Sequence, residues 1–243
     1  MNACHPGILL LLLPALLFGQ ITFDIETGLA ISGYNDVQIP NETGTEFSLS
    51  EELEAENAIF YRIRLRYPIN QKHILSVLYA PLLIQSEGTL DRDIRFKNAV
   101  FEAGTPLEAD YVFNSYRLTY RYEWVKRPRV DFGIGLTAKI RDAEIRLENE
   151  NMSETKTNFG FVPLIHFRLH WRPVERFGFL LEGDALGATQ GRAEDVLAAL
   201  TFRAEEQLSL KLGYRILEGG ADVDEVYNFA LVHYAVIGAW LHF

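Results

Sequence analysis

Cysteine is nearly absent from this sequence, and positive charge is not in excess. One cysteine, Cys4, occurs among 243 residues, which excludes an intrachain disulfide and a cysteine-based metal site. Acidic residues outnumber basic ones by 33 to 23, and the formal net charge is -10. A protein that binds nucleic acid electrostatically needs a basic face, so this charge balance argues against a nucleic-acid partner. Hydrophobic residues make up 48% of the chain, which argues against global disorder.

The chain also lacks an apolar run long enough for a transmembrane helix. Residues 8–18 form an apolar run, but a membrane-spanning helix needs about 20 residues. This run suits the hydrophobic region of a secretory signal peptide; a short buried helix is the alternative. We predict a signal peptide at residues 1–19 and an exported domain at 20–243, in which any membrane insertion must use strands.

Alternation of apolar and polar residues dominates the sequence after residue 20 and predicts β-strands. Comparable segments begin near residues 21, 59, 111, 130, 159, 177, 208 and 234. Two less regular segments, 73–84 and 196–204, bring the count to ten strands. In the sharpest example one face holds Ile59, Tyr61, Ile63, Leu65 and Tyr67, and the other holds Arg62, Arg64 and Arg66.

Two kinds of β-fold show such alternation. A soluble sandwich buries its apolar face in a core, whereas a transmembrane barrel turns that face to lipid. The strands are near the 9–11 residues needed to cross a bilayer. Their number is even, short turns alternate with long loops, and aromatic residues cluster near strand ends. We therefore predict an all-β fold, a transmembrane antiparallel up-and-down β-barrel of about ten strands.

The C-terminal segment, YAVIGAWLHF, keeps the alternation up to Phe243. A closed barrel accounts for this, because its last strand pairs with its first and leaves no free edge. The segment resembles the C-terminus of small outer-membrane β-barrels of Gram-negative bacteria, which typically ends in an aromatic residue, usually Phe. The resemblance implies that Phe243 is part of the signal read by the barrel-assembly machinery. It also implies a location in the cell outer membrane, in contact with the lipid bilayer and lipopolysaccharide.

Charged residues line the polar faces that would point into the lumen. The lumen of a ten-stranded barrel is only slightly wider than that of an eight-stranded barrel, which side chains fill. Unpaired buried charges are costly. We predict a structural charge network that largely plugs the lumen; a narrow anion-preferring pore is the alternative, because cations are in excess. The predicted members are Arg62, Arg64, Arg66, Arg117, Arg121, Lys139, Arg141, Arg168, Asp24, Glu26, Glu123, Glu182 and Asp184, with Lys211, Arg215, Arg203 and Asp131 on the same faces.

Catalytic and metal-binding signals are weak in this sequence. His166 and His170 are four residues apart on one strand, about 13 Å, which is too far for a shared metal ion. The acidic segment 218–225 does not have the spacing of a calcium-binding loop. We predict no enzymatic activity, cofactor or metal. A membrane-embedded hydrolase acting on lipid A or peptides is the second alternative, for which His233, predicted to face lipid, is a candidate residue.

Overall fold

The computed structural model describes residues 21–189 and 191–243, so the predicted signal peptide lies outside the described residues. Strands dominate this part of the chain, and none of its segments is a helix long and apolar enough to cross a membrane. The strands are β1 (Thr22–Gln38), β2 (Phe47–Ser48), β3 (Glu54–Ala55), β4 (Ala58–Pro68), β5 (His73–Ala80), β6 (Leu83–Thr89), β7 (Ile94–Phe96), β8 (Ala99–Phe101), β9 (Pro106–Arg127), β10 (Val130–Glu148), β11 (Ser153–Trp171), β12 (Phe177–Ala188), β13 (Gly191–Arg203), β14 (Leu208–Val223) and β15 (Val226–His242).

The sheet closes on itself as an antiparallel barrel. β1 pairs with β4 on one side and with β15 on the other, beginning at Thr22↔His242. β5 and β6 act as one wall strand interrupted at Pro81, and both pair with β9. From β9 to β15 each strand pairs with the next in chain order. The wall therefore contains ten strands, and the predicted fold class is confirmed.

The side chains on the two faces of the wall differ in polarity. On the outer face Ile59 and Leu136 are 82% and 68% exposed, whereas Arg117 on the inner face is 4% exposed. This is the arrangement of a transmembrane barrel, in which lipid covers the apolar face. Trp124 and Trp171 lie near one end of the wall, where an interfacial aromatic girdle is expected. The barrel therefore spans a membrane.

The two irregular segments of the sequence have distinct places in the wall. Leu82 and Ile84 point inward and are buried, while Leu83 between them is exposed on the outer face. Apolar residues thus occupy both faces of β5–β6, because the inward ones pack into an apolar cluster at one end of the barrel. β13 alternates from Asp195 to Thr201 and is a full wall strand.

The two ends of the barrel are built differently. Short turns join the strands at one end, called here the short-turn end, and the opposite end is called the cap end. Alternation of short turns with long loops along ten strands predicts five long loops at the cap end, and this prediction was wrong for three of them. The polar segments between β10 and β11, β12 and β13, and β14 and β15 extend the strands and finish in hairpins. Cross-strand ion pairs hold these extensions, as between Arg146 and Asp110 at 2.5 Å.

Residues 39–57 and 90–105 form a folded unit, called here the cap. Phe47 and Phe96 pack edge to face at 6.4 Å, and backbone hydrogen bonds such as Thr45 N to Arg95 O join the two segments at 2.9 Å. Arg92 pairs with Glu52 at 2.5 Å, and this hydrogen bond lowers the pKa of the Glu52 carboxyl. The sequence predicted long polar loops here, whereas the structure has an apolar core beneath a charged surface.

Candidate functional site: the barrel lumen

A layer of buried ion pairs crosses the middle of the lumen, and Glu26 on β1 is one of its centres. Its carboxylate lies 2.6 Å from Lys211 Nζ, 2.7 Å from Arg215 Nη2 and 3.4 Å from Arg62 Nε. Arg62 is its register partner on β4, whereas the two other cations come from β14. Three strands are therefore linked through one carboxylate.

Asp195 on β13 is a second centre. Its Oδ2 atom is 2.8 Å from Arg62 Nη2 and 2.6 Å from Arg117 Nη2, and its Oδ1 atom contacts Arg215. Arg117 also bonds Asp184 at 2.7 Å. These contacts connect β4 and β9 with the opposite wall, so the charges bridge the lumen from side to side.

Glu182 on β12 is the third centre. It contacts Arg64 and lies 2.9 Å from Arg66, and Arg168 and Arg121 are within 3.8 Å and 3.9 Å of its oxygens. Arg64 and Arg66 come from β4, Arg121 from β9 and Arg168 from β11, so one carboxylate faces four guanidinium groups from three strands.

Trp240 contributes an aromatic surface to the same layer. Arg66, Arg168 and Lys211 lie 5.7, 5.5 and 5.6 Å from its ring centroid, within the range of cation–π attraction. Gly238 on the same strand leaves room for Lys211, because a Cβ atom there would lie 2.6 Å from Lys211 Cε. β15 thus places the indole of Trp240 and the space above Gly238 beside the cations of the network.

Most of the predicted lumen residues meet in this layer. Arg121 pairs with Glu123 at 2.8 Å, and Asp24 pairs with Arg66 at 2.7 Å and contacts Lys211. The predicted residues that it brings together are Arg62, Arg64, Arg66, Arg117, Arg121, Arg168, Lys211, Arg215, Asp24, Glu26, Glu123, Glu182 and Asp184.

Four predicted residues lie apart from it. Lys139 and Arg141 are in the cap-side half of the lumen, and among the described residues neither forms an ion pair; Arg141 instead donates to Asn158 Oδ1 at 2.5 Å. Lys139 is the register partner of Arg117 and faces the lumen, but the walls around Lys139 and Arg141 on the cap side are largely apolar. Arg203 is exposed beside Glu175, and Asp131 pairs with Arg172, both near the short-turn end.

Asp195 is the central residue that the sequence reading missed. It lies just before the segment 196–204 predicted as a strand, whereas β13 begins at Gly191 and its residues Asp195, Leu197, Ala199 and Thr201 alternate with outward residues. The alternation is weak because Leu197 and Ala199 are apolar but face the lumen. A strand that is largely apolar on both faces gives little period-two signal, and an inward charge such as Asp195 is then hard to recognise.

The network separates two open spaces in the lumen. One, of about 410 Å³, lies toward the cap end between Tyr111, Lys139 and Val232. The other, of about 570 Å³, lies at the short-turn end and is lined by residues such as His170 and Trp240. The two spaces share no lining residue, and the centres at Glu26 and Asp195 line neither of them.

The lumen histidines are hydrogen-bonded within the wall. His166 Nδ1 lies 2.9 Å from Asp184 Oδ1, and His170 Nε2 lies 3.0 Å from Thr201 Oγ1. In the part of the chain that the structure describes, no three His, Cys, Asp or Glu side chains are grouped as a metal site requires. On the outer wall, His233 Nδ1 is 2.5 Å from Tyr214 Oη.

Comparison with known proteins identifies the fold. No family model matches the chain, and no curated protein matches it. The outer membrane protease OmpT of Escherichia coli aligns with a TM-score of 0.58 at 9% identity, over 95% of this chain and 99% of OmpT. The transport unit of the autotransporter AIDA-I from Escherichia coli gives 0.49 at 7% identity, over 97% and 94%. Ail, the attachment invasion locus protein of Yersinia pestis, gives 0.42 at 12% identity, over 93% and 100%.

The likeness to OmpT is one of fold. Together with the closed antiparallel wall and its apolar outer face, it defines the class of protein: the chain is an outer-membrane β-barrel. The resemblance and the location predicted from the sequence are confirmed at this level.

Proposed function

We propose that this protein is a surface-exposed, non-conducting outer-membrane barrel whose lumen is closed by its charge network. The observation that supports this most is the layer of shared ion pairs between two spaces with no lining residue in common. Each central carboxylate, Glu26, Glu182 and Asp195, contacts at least two cations. Charges held in this way resist displacement, because a broken pair leaves an uncompensated buried ion.

Conductance in planar lipid bilayers tests the closed lumen against the pore alternative. We expect the wild-type barrel to give no steady conductance steps. Arg62→Ala/Arg117→Ala/Asp195→Ala removes cations and their shared acid together, and this variant should conduct. Arg203→Ala/Glu175→Ala removes an exposed pair at the short-turn end and should stay closed. Steady, anion-selective steps from the wild type would establish the pore instead.

The apolar outer face of the wall supports the proposed lipid partners. The lipid bilayer and lipopolysaccharide would contact the apolar band and the polar strand extensions above it. Phe243 is 72% exposed, and its ring packs edge to face on Phe23 at 6.2 Å across the β1–β15 seam. An exposed aromatic at this seam supports the proposal that Phe243 is read by the barrel-assembly machinery.

We also propose that the protein is not an enzyme. The hydrolase alternative is supported by fold likeness to a protease and by the contact of His233 with Tyr214 on the outer wall. Purified barrel in detergent should release no product from lipid A or from a peptide mixture. Product formation that is lost in His233→Ala would establish the hydrolase.

A further inference from the structure

The barrel wall is incomplete on the cap side of β11. β11 pairs with β12 only from Ile165↔Ala185 to Trp171↔Phe179. Residues 153–164 pair with β10 on their other side, and no described residue of β12 pairs with them. In the same register β12, which ends at Ala188, would reach no farther than residue 162, so residues 153–161 have no described strand beside them on this side. Pro163, which has no backbone N–H to leave unpaired, lies in the unpaired stretch 153–164.

The cap-side cavity reaches this gap. Phe161 and Val162, on the stretch of β11 that lacks a β12 partner, both line the cavity together with Leu186 and Ala188 of β12, so the cavity borders the gap. Farther along β11, Lys156 Nζ bonds Glu225 Oε2 at 2.9 Å. Glu225 lies in the turn between β14 and β15, so this ion pair links β11 to that turn past the shorter β12–β13 hairpin. Phe159 and Phe161 beside the gap are 74% and 68% exposed on the lipid-facing side. The opening therefore leads sideways, toward the acyl chains of the membrane.

Two unneutralised cations lie at the network end of this cavity. Lys139 is 3% exposed, and its Nζ atom lies 4.7 Å from the Phe113 ring centroid. Arg141 donates from Nη2 to Asn158, and its buried Nε has no hydrogen-bond partner. No carboxylate of the described residues lies within 4 Å of either charged group. The remaining walls, which include Tyr111, are mostly apolar.

We propose that this cavity binds an amphipathic anion, with its charged head against Lys139 and Arg141 and its hydrocarbon chain leaving through the gap beside Phe161. Buried cations without acids attract an anion, because binding neutralises a charge that is otherwise costly to bury. An apolar wall favours a hydrocarbon chain. A volume of about 410 Å³ is within the range of small-molecule sites. This site lies above the charge network and does not depend on whether the network blocks conduction.

Photo-crosslinking tests this site in the intact barrel reconstituted in phosphatidylcholine nanodiscs. Three probes carry the same diazirine-labelled acyl chain: a free fatty acid, a phosphatidylglycerol and an uncharged fatty alcohol. We expect an anionic probe to label inward cavity positions such as Ala143 and Val162, at least about tenfold above the alcohol. Labelling by the fatty acid, or by the phosphatidylglycerol, identifies the source of the anion.

Variants separate binding from general contact with lipid. Lys139→Met/Arg141→Met should remove labelling of the cavity positions, whereas Lys126→Met/Arg203→Met, at exposed cations of the short-turn end, should keep it. Ala193→Trp fills the cavity while leaving Lys139 and Arg141 unchanged, and it should also remove the labelling. Equal labelling by all three probes, or labelling of the outer wall alone, would overturn the proposal.

Discussion

Glu26 is a residue whose surroundings determine its effect on stability. Its carboxylate is buried among Lys211, Arg215 and Arg62. Asp222, in the β14–β15 hairpin, is exposed and accepts a hydrogen bond from Asn41 at 2.7 Å. The two acids have the same formal charge, but one is the common partner of three buried cations.

We predict that Glu26→Ala destabilises the barrel by about 3–5 kcal/mol, because it leaves buried guanidinium and ammonium groups uncompensated. Asp222→Ala should change the free energy of unfolding by no more than about 0.5 kcal/mol, as expected for a solvated position. Urea-induced unfolding in lipid vesicles measures both. Equal midpoints would mean that water reaches the network, and would favour the pore.

Alternation in the sequence predicts which side chains enter the lumen but not which of them meet. Arg62 and Glu26 are register partners on neighbouring strands, so their contact could be anticipated. The contact of Arg62 with Asp195 crosses the lumen and depends on strand tilt and closure, which a single strand pattern does not contain. Lys139 has the same inward signal as Arg117 and is its register partner, yet Arg117 contacts two acids and Lys139 contacts none among the described residues.

At the scale of the element, the wall strands follow their sequence pattern, but the cap does not. Residues 39–57 contain acids and polar residues that indicate a solvated loop. Their apolar members, including Phe47 and Leu53, are buried against partners from residues 90–105. A core built from two distant short segments has no periodicity within either segment, so sequence reading alone misses it.

Epitope-tag insertion tests the topology of these elements. We predict that a tag at Asn151, in the β10–β11 hairpin, is displayed outside the cell, while tags at Asn70 or Arg127, in short turns, are not. A tag at Gly44 should reach the same side but loosen the cap, because a Cβ there would already lie 2.6 Å from the Ile39 backbone.

Antibody labelling of intact cells shows on which side of the membrane each tag lies. Limited proteolysis shows whether the cap has been loosened. Labelling at Asn70 without labelling at Asn151 would reverse the orientation of the barrel.

The whole molecule has an apolar wall that only lipid or detergent can cover. We predict that the protein sediments with outer membranes and needs detergent to stay dispersed. It should also migrate faster on a gel before boiling than after, because the closed barrel is more compact than the unfolded chain. Gradient fractionation and paired boiled and unboiled samples measure this. A detergent-free monomer in the periplasmic fraction would contradict a membrane barrel.

The lumen charges also set a constraint on how the protein folds. Lys211 and Asp24 are 187 residues apart in the chain, and Arg62 and Asp195 are 133 apart. Contacts of such long sequence separation form late, after the intervening strands have been ordered. Until β15 meets β1, these charges have no complete set of partners and must stay hydrated. We therefore expect seam closure and lumen dehydration to be a single late event, so that an open sheet keeps a wet, charged face until its edges join.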